Sequence, residues 1–231
     1  WTHSSLAYAQ TSRRCNKVRH ETNNAFKLPS KLRMIIISRL TLLLAFIFLS
    51  FIANTGQLVF AKGRDNVRDA CRVTRYPDFC VRSLAPFSNS AGKSPSKWAR
   101  AGVSVTIGEV KNVKAYLANL KRHGRIRGRN RVALSDCVES FADALDELHK
   151  SLGVLRRLSR STFGSQMGDL NTWISAALTN EDTCLNGFQG EKERKIKLLQ
   201  NRVLKVYYIT SNALALVNKL TTTGLGSISD P

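Results

Sequence analysis

The sequence predicts an all-α protein, an up-and-down four-helix bundle with an N-terminal helical hairpin and two disulfides. Three observations carry that expectation. Apolar residues recur at spacings of three and four over long segments, and at ~100° per residue such spacings gather into one stripe. No alternating strand pattern of comparable length competes with them. Four cysteines, Cys71, Cys80, Cys137 and Cys184, follow a segment with the features of a secretory signal. Thiols routed outside the cytosol oxidise, so they are expected to be staples rather than metal ligands or nucleophiles.

The 231-residue chain opens at Trp1 and its first methionine is Met34. Residues 1–33 show no sustained periodicity and read as translation upstream of the native start, Cys15 included. Residues 34–61 read as a signal peptide. Arg39 supplies positive charge, LTLLLAFIFLSFIA (Leu40 to Ala53) the apolar run, and Val59-Phe60-Ala61 a small-residue cleavage site. The run is shorter than the ~20 residues a membrane-crossing helix needs, which favours cleavage over a retained anchor, with no membrane association afterwards. The remaining segment, 62–231, is one domain with a substantial core. Removal of the first 61 residues takes away eight Lys/Arg and one acid, leaving 28 basic and 15 acidic residues and a net charge of +13. Outside a cell, that balance favours an anionic matrix or an acidic partner surface.

Residues 62–95 are short, cysteine-bearing and broken by Pro77, Pro86 and Pro95, the pattern of a small helical hairpin. Residues 96–231 form the bundle. Its first stripe is Val103, Ile107, Val110, Val113, Leu117 and Leu120. The second, and clearest, is Leu134, Val138, Phe141, Leu145, Leu148, Leu152 and Leu155. A less regular third has Leu170, Ile174, Ala177, Cys184 and Phe188 inside, and the last is Ile196, Leu199, Val203, Val206, Thr210, Ala213, Val217 and Leu220. Gly124 and Gly128, Gly164 and Gly168, and Gly187 and Gly190 supply the stops between them. Four cysteines allow three pairings. Local pairing of Cys71 with Cys80 and of Cys137 with Cys184 is favoured, because the latter two lie on long segments able to pack side by side. The other pairings require the hairpin to reach both helices. The two local bridges contribute about 3 and about 4 kcal/mol of unfolded-state entropy respectively.

Catalytic chemistry is not indicated. His123 lies in a basic loop and His149 near the end of a stripe, with no partners at metal-ligand spacing. No nucleophile elbow, phosphate loop or HExxH is present, and neither a cofactor nor a metal is expected. Two charge features stand out instead. The connection KRHGRIRGRNR, residues 121–131, concentrates Arg125, Arg127, Arg129 and Arg131. It is either a solvated loop or an attachment point for a polyanion, and without interleaved aromatics it does not suit nucleic acid. The second feature is an acidic stripe, Asp136, Glu139, Asp143 and Asp146, centred roughly 150° from the Leu134–Leu155 seam. No Lys or Arg lies between Val132 and His149, so these carboxylates have no partner on their own helix. On a basic chain the stripe suits docking of a basic partner.

The segments CRVTRYPDFC (71–80), LSDCVESFADALDEL (134–148) and TWISAALTNEDTCLNGF (172–188), in this order and with this cysteine spacing, resemble the plant invertase and pectin methylesterase inhibitor family over residues 66–220. The resemblance implies a secreted four-helix bundle with an N-terminal hairpin and the pairing Cys71–Cys80 and Cys137–Cys184. It implies no enzymatic activity. One branch of the family caps the pectin-binding cleft of pectin methylesterase; the other blocks acid invertase and often carries a Pro-Lys-Phe motif, absent here. The resemblance therefore favours a methylesterase inhibitor forming a 1:1 complex, with acid invertase and anionic pectin as alternative partners. Carried onto matching positions, it places partner contacts at Glu139, Asp143, Asp146 and Thr183. Thr183 also has a purely structural reading, a hydroxyl bonded to a helix carbonyl. A similar module forms the pro-region of plant pectin methylesterases; a chain ending at Pro231 fits a free-standing inhibitor better.

Overall fold

A computed structural model describes residues 29–224, with the side chains of 52–63 outside the description. The expected cleavage site at 59–61 and nearly all of the expected upstream segment 1–33 therefore lie outside what is described. Two compact units divide the chain, residues 1–57 and 58–231. Helix α1 is Ser30–Cys71. In the first unit it contains Ser30–Phe51, 22 residues of mean hydropathy 2.3 with none of that apolar surface buried. This stretch is longer than the run Leu40 to Ala53, because Met34 to Ile37 continue it on the N-terminal side. By length and composition it can cross a membrane, and its place near the N-terminus is also that of a signal sequence.

In the second unit the end of α1 leads through a turn to α2 (Pro77–Leu84), a 3-10 turn (Ala85–Phe87) and the short α3 (Ser88–Ala91). The long helices α4 (Pro95–His123), α5 (Arg129–Leu155), α6 (Phe163–Gly187) and α7 (Arg194–Thr223) follow. Each long helix packs on two others, in the closed order α4, α5, α6, α7 and back to α4. Pro95 opens α4 and Ser94 caps it, accepting from the Lys97 N–H, which satisfies one of the donors left over at a helix start. Lys121, Arg122 and His123 close it, as the negative end of the helix dipole favours.

The apolar stripes of α4 and α7 are buried at every expected position. On α5 the buried face is turned from the expected seam. Val138 and Leu145 are half-buried, while Ala133, Cys137, Ser140, Ala144 and Ser151 take the centre. Small residues allow close approach, and a Cβ on Gly187 of α6 would stand 3.4 Å from the Ala133 Cβ. An apolar pattern weighs large side chains and misses such a contact. The expected stops at Gly164 and Gly168 are also corrected, since both glycines lie inside the first turns of α6. The break comes earlier. The Gln166 side chain holds that loop, accepting from the Ser159 N–H and donating to the Arg157 carbonyl, each at 2.9 Å.

The first arm of the hairpin is the C-terminal end of α1, and its second is α2. Val67, Cys71, Cys80, Leu84, Trp98 and Leu216 form a small core of their own. The turn between the arms is clamped to α7. Asn212 is buried at 3% exposure, accepts from the Tyr76 N–H at 3.1 Å and donates to the Tyr76 carbonyl at 2.9 Å. The Tyr76 ring stacks on Tyr208 with centroids 4.0 Å apart.

Candidate functional site

Cys71 bonds Cys80, and Cys137 bonds Cys184, with Cα separations of 5.7 and 4.5 Å. The second bridge ties α5 to α6 next to the residues singled out as partner contacts. Asp136 and Glu139 flank Cys137, and Thr183 precedes Cys184. Asp136, Glu139, Asp143 and Asp146 are all exposed. Among the described residues none of the four forms an ion pair or hydrogen bond, the described ion pairs being Arg72–Asp69 and Lys205–Glu109.

Two further groups extend this ridge. Glu147, half-buried at its flank, accepts a 3.2 Å hydrogen bond from the Asn180 side chain across the α5–α6 seam. Its carboxyl is held above the usual range, chiefly by burial; the bond from Asn180 works against the rise, and the charge of Asp143 adds to it. On α6, Asp182 is exposed and accepts from Asn186 at 3.0 Å. Sequence reasoning left out both residues. Glu147 directly follows Asp146, and only its contact with α6 distinguishes it. Thr183 is exposed, and its hydroxyl donates to the Thr179 carbonyl at 2.8 Å. The structural reading of that hydroxyl is therefore present, and what it can offer a partner is its acceptor lone pairs.

The basic loop lies at the end of the bundle where α4 and α6 finish and α5 and α7 begin. Arg125, Arg127, Arg129 and Arg131 are exposed, whereas Ile126 between them is buried. Arg125 has φ 53°, in the left-handed region that non-glycine residues rarely occupy. The loop is thus shaped around its apolar anchor.

The largest departure from the sequence reading is Glu181. It is fully buried in the face of α6 that packs on α7, its Oε1 stands 2.7 Å from the Thr210 hydroxyl, and Oε2 has no partner. Desolvation lifts its pKa from 4.5 to about 8, against the lowering effect of Thr210. The Thr210 hydroxyl also lies 3.1 Å from the Val206 carbonyl. It has a single hydrogen. A neutral Glu181 that donates to Thr210 Oγ1 leaves that hydrogen for Val206, so both contacts of the Thr210 hydroxyl are satisfied and Oε2 alone stays unpaired.

Among the described residues no group of His, Cys, Asp and Glu is arranged to hold a metal. What the fold and this site define is a disulfide-pinned helical protein with an exposed acidic face. The comparisons specify the class further. Residues 65–216 match the family described as plant invertase/pectin methylesterase inhibitor, and the chain belongs to it. The family is one of protein inhibitors rather than enzymes. The chain is 46% identical to pectinesterase inhibitor 6 of Arabidopsis thaliana, over 74% of this chain and 83% of that protein. It is 36% identical to pectinesterase inhibitor 3 of the same plant, over 74% and 86%. It is 31% identical to pectinesterase/pectinesterase inhibitor 3, over 76% of this chain but 30% of that longer protein. The fold matches the crystal structure of a mutant form of a pectin methylesterase inhibitor from Arabidopsis with a TM-score of 0.54, over 65% of this chain and 93% of that one, at 21% identity.

Proposed function

We propose that this protein is a secreted inhibitor of pectin methylesterase, which binds one enzyme molecule non-covalently, covers the pectin-binding cleft and so keeps wall pectin methylesterified. The observation that carries the reading is the unneutralised ridge of Asp136, Glu139, Asp143 and Asp146, displayed beside the Cys137–Cys184 bridge on a chain whose net charge is otherwise strongly positive. Carboxylates left without counter-ions contribute little to the fold and are free to steer and register a basic partner. The relatives, both pectinesterase inhibitors, suggest pectinesterase as the target, and the apolar N-terminal helix is consistent with a route out of the cell. Glu139, Asp143, Asp146 and Thr183 form the docking face in this reading, with Glu147 and Asp182 at its margin.

The test is a parallel titration of the secreted protein against plant pectin methylesterase and acid invertase, with Asp143→Asn/Asp146→Asn beside it. Inhibition of the methylesterase alone is expected. The variant should keep its helix content and melting point, since exposed unpaired charges add little stability, while its association rate falls and becomes less sensitive to salt. Inhibition of invertase in place of the methylesterase would reassign the target. Unchanged association kinetics in a folded variant would remove the ridge from the interface.

A further inference from the structure

The basic connection 121–131 does not stand alone in the folded chain. The α6–α7 connection returns to the same end of the bundle and brings Lys192, Arg194, Lys195 and Lys197, all exposed, beside it. The two connections are tied to each other. The Lys195 ammonium donates to the Gly124 carbonyl at 3.0 Å, and the Asn130 side-chain amide donates to Glu191 Oε2 at 3.0 Å. Ile126 anchors the first connection in the main core. Cations from segments about 65 residues apart in sequence are thus held on one surface.

Their placement runs against local helix energetics. Arg129 and Arg131 lie in the first turn of α5, and Arg194 and Lys195 in the first turn of α7. Neither turn contains an acid, and neither Gly128 nor Glu193 makes a side-chain cap. Positive charge at a helix start opposes the macrodipole. Among the described residues none of Arg122, Arg125, Arg127, Arg129, Arg131, Lys192, Arg194 and Lys197 has an ion-pair partner. The acids within the two connections are Glu191, already bonded to Asn130, and Glu193. Arg129, Arg131 and Arg194, first-turn cations without an ion pair, are the kind of local violation that functional surfaces carry.

We propose that this composite cationic end binds a linear polyuronate, a polysaccharide with free carboxylates along its length, and so holds the protein on the matrix its target acts upon. The ligand class rests on the function proposed above: hydrolysis of a methyl ester on a uronic acid residue leaves a carboxylate on the chain, so a pectin methylesterase makes this polyanion where it works. Nucleic acid is disfavoured as the partner, because segments 121–131 and 190–197 hold no Phe, Tyr or Trp to stack on bases, and the neighbouring Phe188 is buried. The acidic ridge occupies the exposed flank of α5 and α6, so the same molecule can hold matrix and enzyme at once.

The experiment compares retention of the full secreted protein on immobilised polygalacturonate and on fully methylesterified pectin, with four variants. One carries Arg125→Gln, Arg127→Gln, Arg129→Gln and Arg131→Gln. A second carries Lys192→Gln, Arg194→Gln and Lys197→Gln. The third combines the two sets, and the fourth, a charge control, carries Lys93→Gln, Lys97→Gln and Lys111→Gln. Circular dichroism checks the fold of each. The parent should bind polygalacturonate and not the esterified polymer, each half-variant should elute at lower salt, and the combined variant should lose retention at ~0.15 M salt. The charge control should elute close to the parent. Inhibition in a soluble methylesterase assay should be the same for all of them. Equal loss in the charge control, equal binding to both polymers, no added effect of the 192–197 set, or tighter retention on duplex nucleic acid would each overturn the proposal. Loss of inhibition by the parent with polygalacturonate binding intact would instead refute the inhibitor reading and leave the cationic site standing.

Discussion

Glu181 offers the sharpest test of the tertiary structure. Its folded pKa is raised from 4.5 to about 8, mainly by desolvation, so the folded state keeps a proton that the unfolded state gives up. A group shifted in this direction lends its full stability below the unfolded pKa and loses it as pH rises toward the folded pKa. The window is therefore pH 4.5 to 8, and stability should fall through it. At ~1.36 kcal/mol per pKa unit, a rise of this size caps the loss at roughly 5 kcal/mol, a large part of the ~5–15 kcal/mol that holds a domain together. Glu181→Gln removes the titration and keeps a donor, its amide N–H, for Thr210 Oγ1. Its own cost at pH 4 is about 1–3 kcal/mol, that of the second amide N–H, which the neutral acid does not have and which is left without a partner. Urea unfolding of parent and variant at unit steps from pH 4 to pH 9, with disulfides intact, gives both lines. The parent should lose stability relative to the variant with a slope approaching ~1.4 kcal/mol per pH unit, and the variant should become the more stable of the two between about pH 5 and pH 7. Parallel lines across the window would show that Glu181 does not hold a proton in the folded state, and the hydrogen-bond set drawn for Thr210 would fall with it.

Two further outcomes concern the staples and the clamp. Replacing Cys137 and Cys184 together by serine should cost about 4 kcal/mol and replacing Cys71 and Cys80 together about 3, because the bridges span 47 and 9 positions and the longer loop is the more restricted by closure; equal unfolding midpoints of the two double variants would contradict that order. Asn212→Ala should cost about 2–3 kcal/mol, since it removes two bonds and leaves backbone groups of Tyr76 without partners, and the Tyr76 amide should lose protection from hydrogen exchange. Unchanged protection there would show that the turn is held by the Cys71–Cys80 bridge and the Tyr76–Tyr208 stack alone.

The helices themselves were legible in the sequence, because burial of one apolar face repeats every three to four residues whatever the partner. The stripes of α4 and α7 are buried as the pattern requires. The exposure of Asp136, Glu139, Asp143 and Asp146 was legible too, since carboxylates without local counter-ions stay in water. The signal in α6 was a gap: Leu170, Ile174, Ala177, Cys184 and Phe188 leave position 181 empty in a run of fours and threes, and Glu181 fills it on the buried face. A pattern of apolar letters passes over a carboxyl there. It becomes a neutral core residue only because the packing of α6 on α7 buries it fully, beside Thr210, 29 residues away. Likewise the turn of α5 toward Cys137 and Ala144 was decided by the close approach of α6. The joining of the 121–131 and 192–197 cations was decided by the up-and-down path that returns both connections to one end. Periodicity and charge are properties of a single segment, and a sequence displays them. Which segments face each other, and what that contact does to a buried acid or a row of arginines, exists only once the bundle has closed.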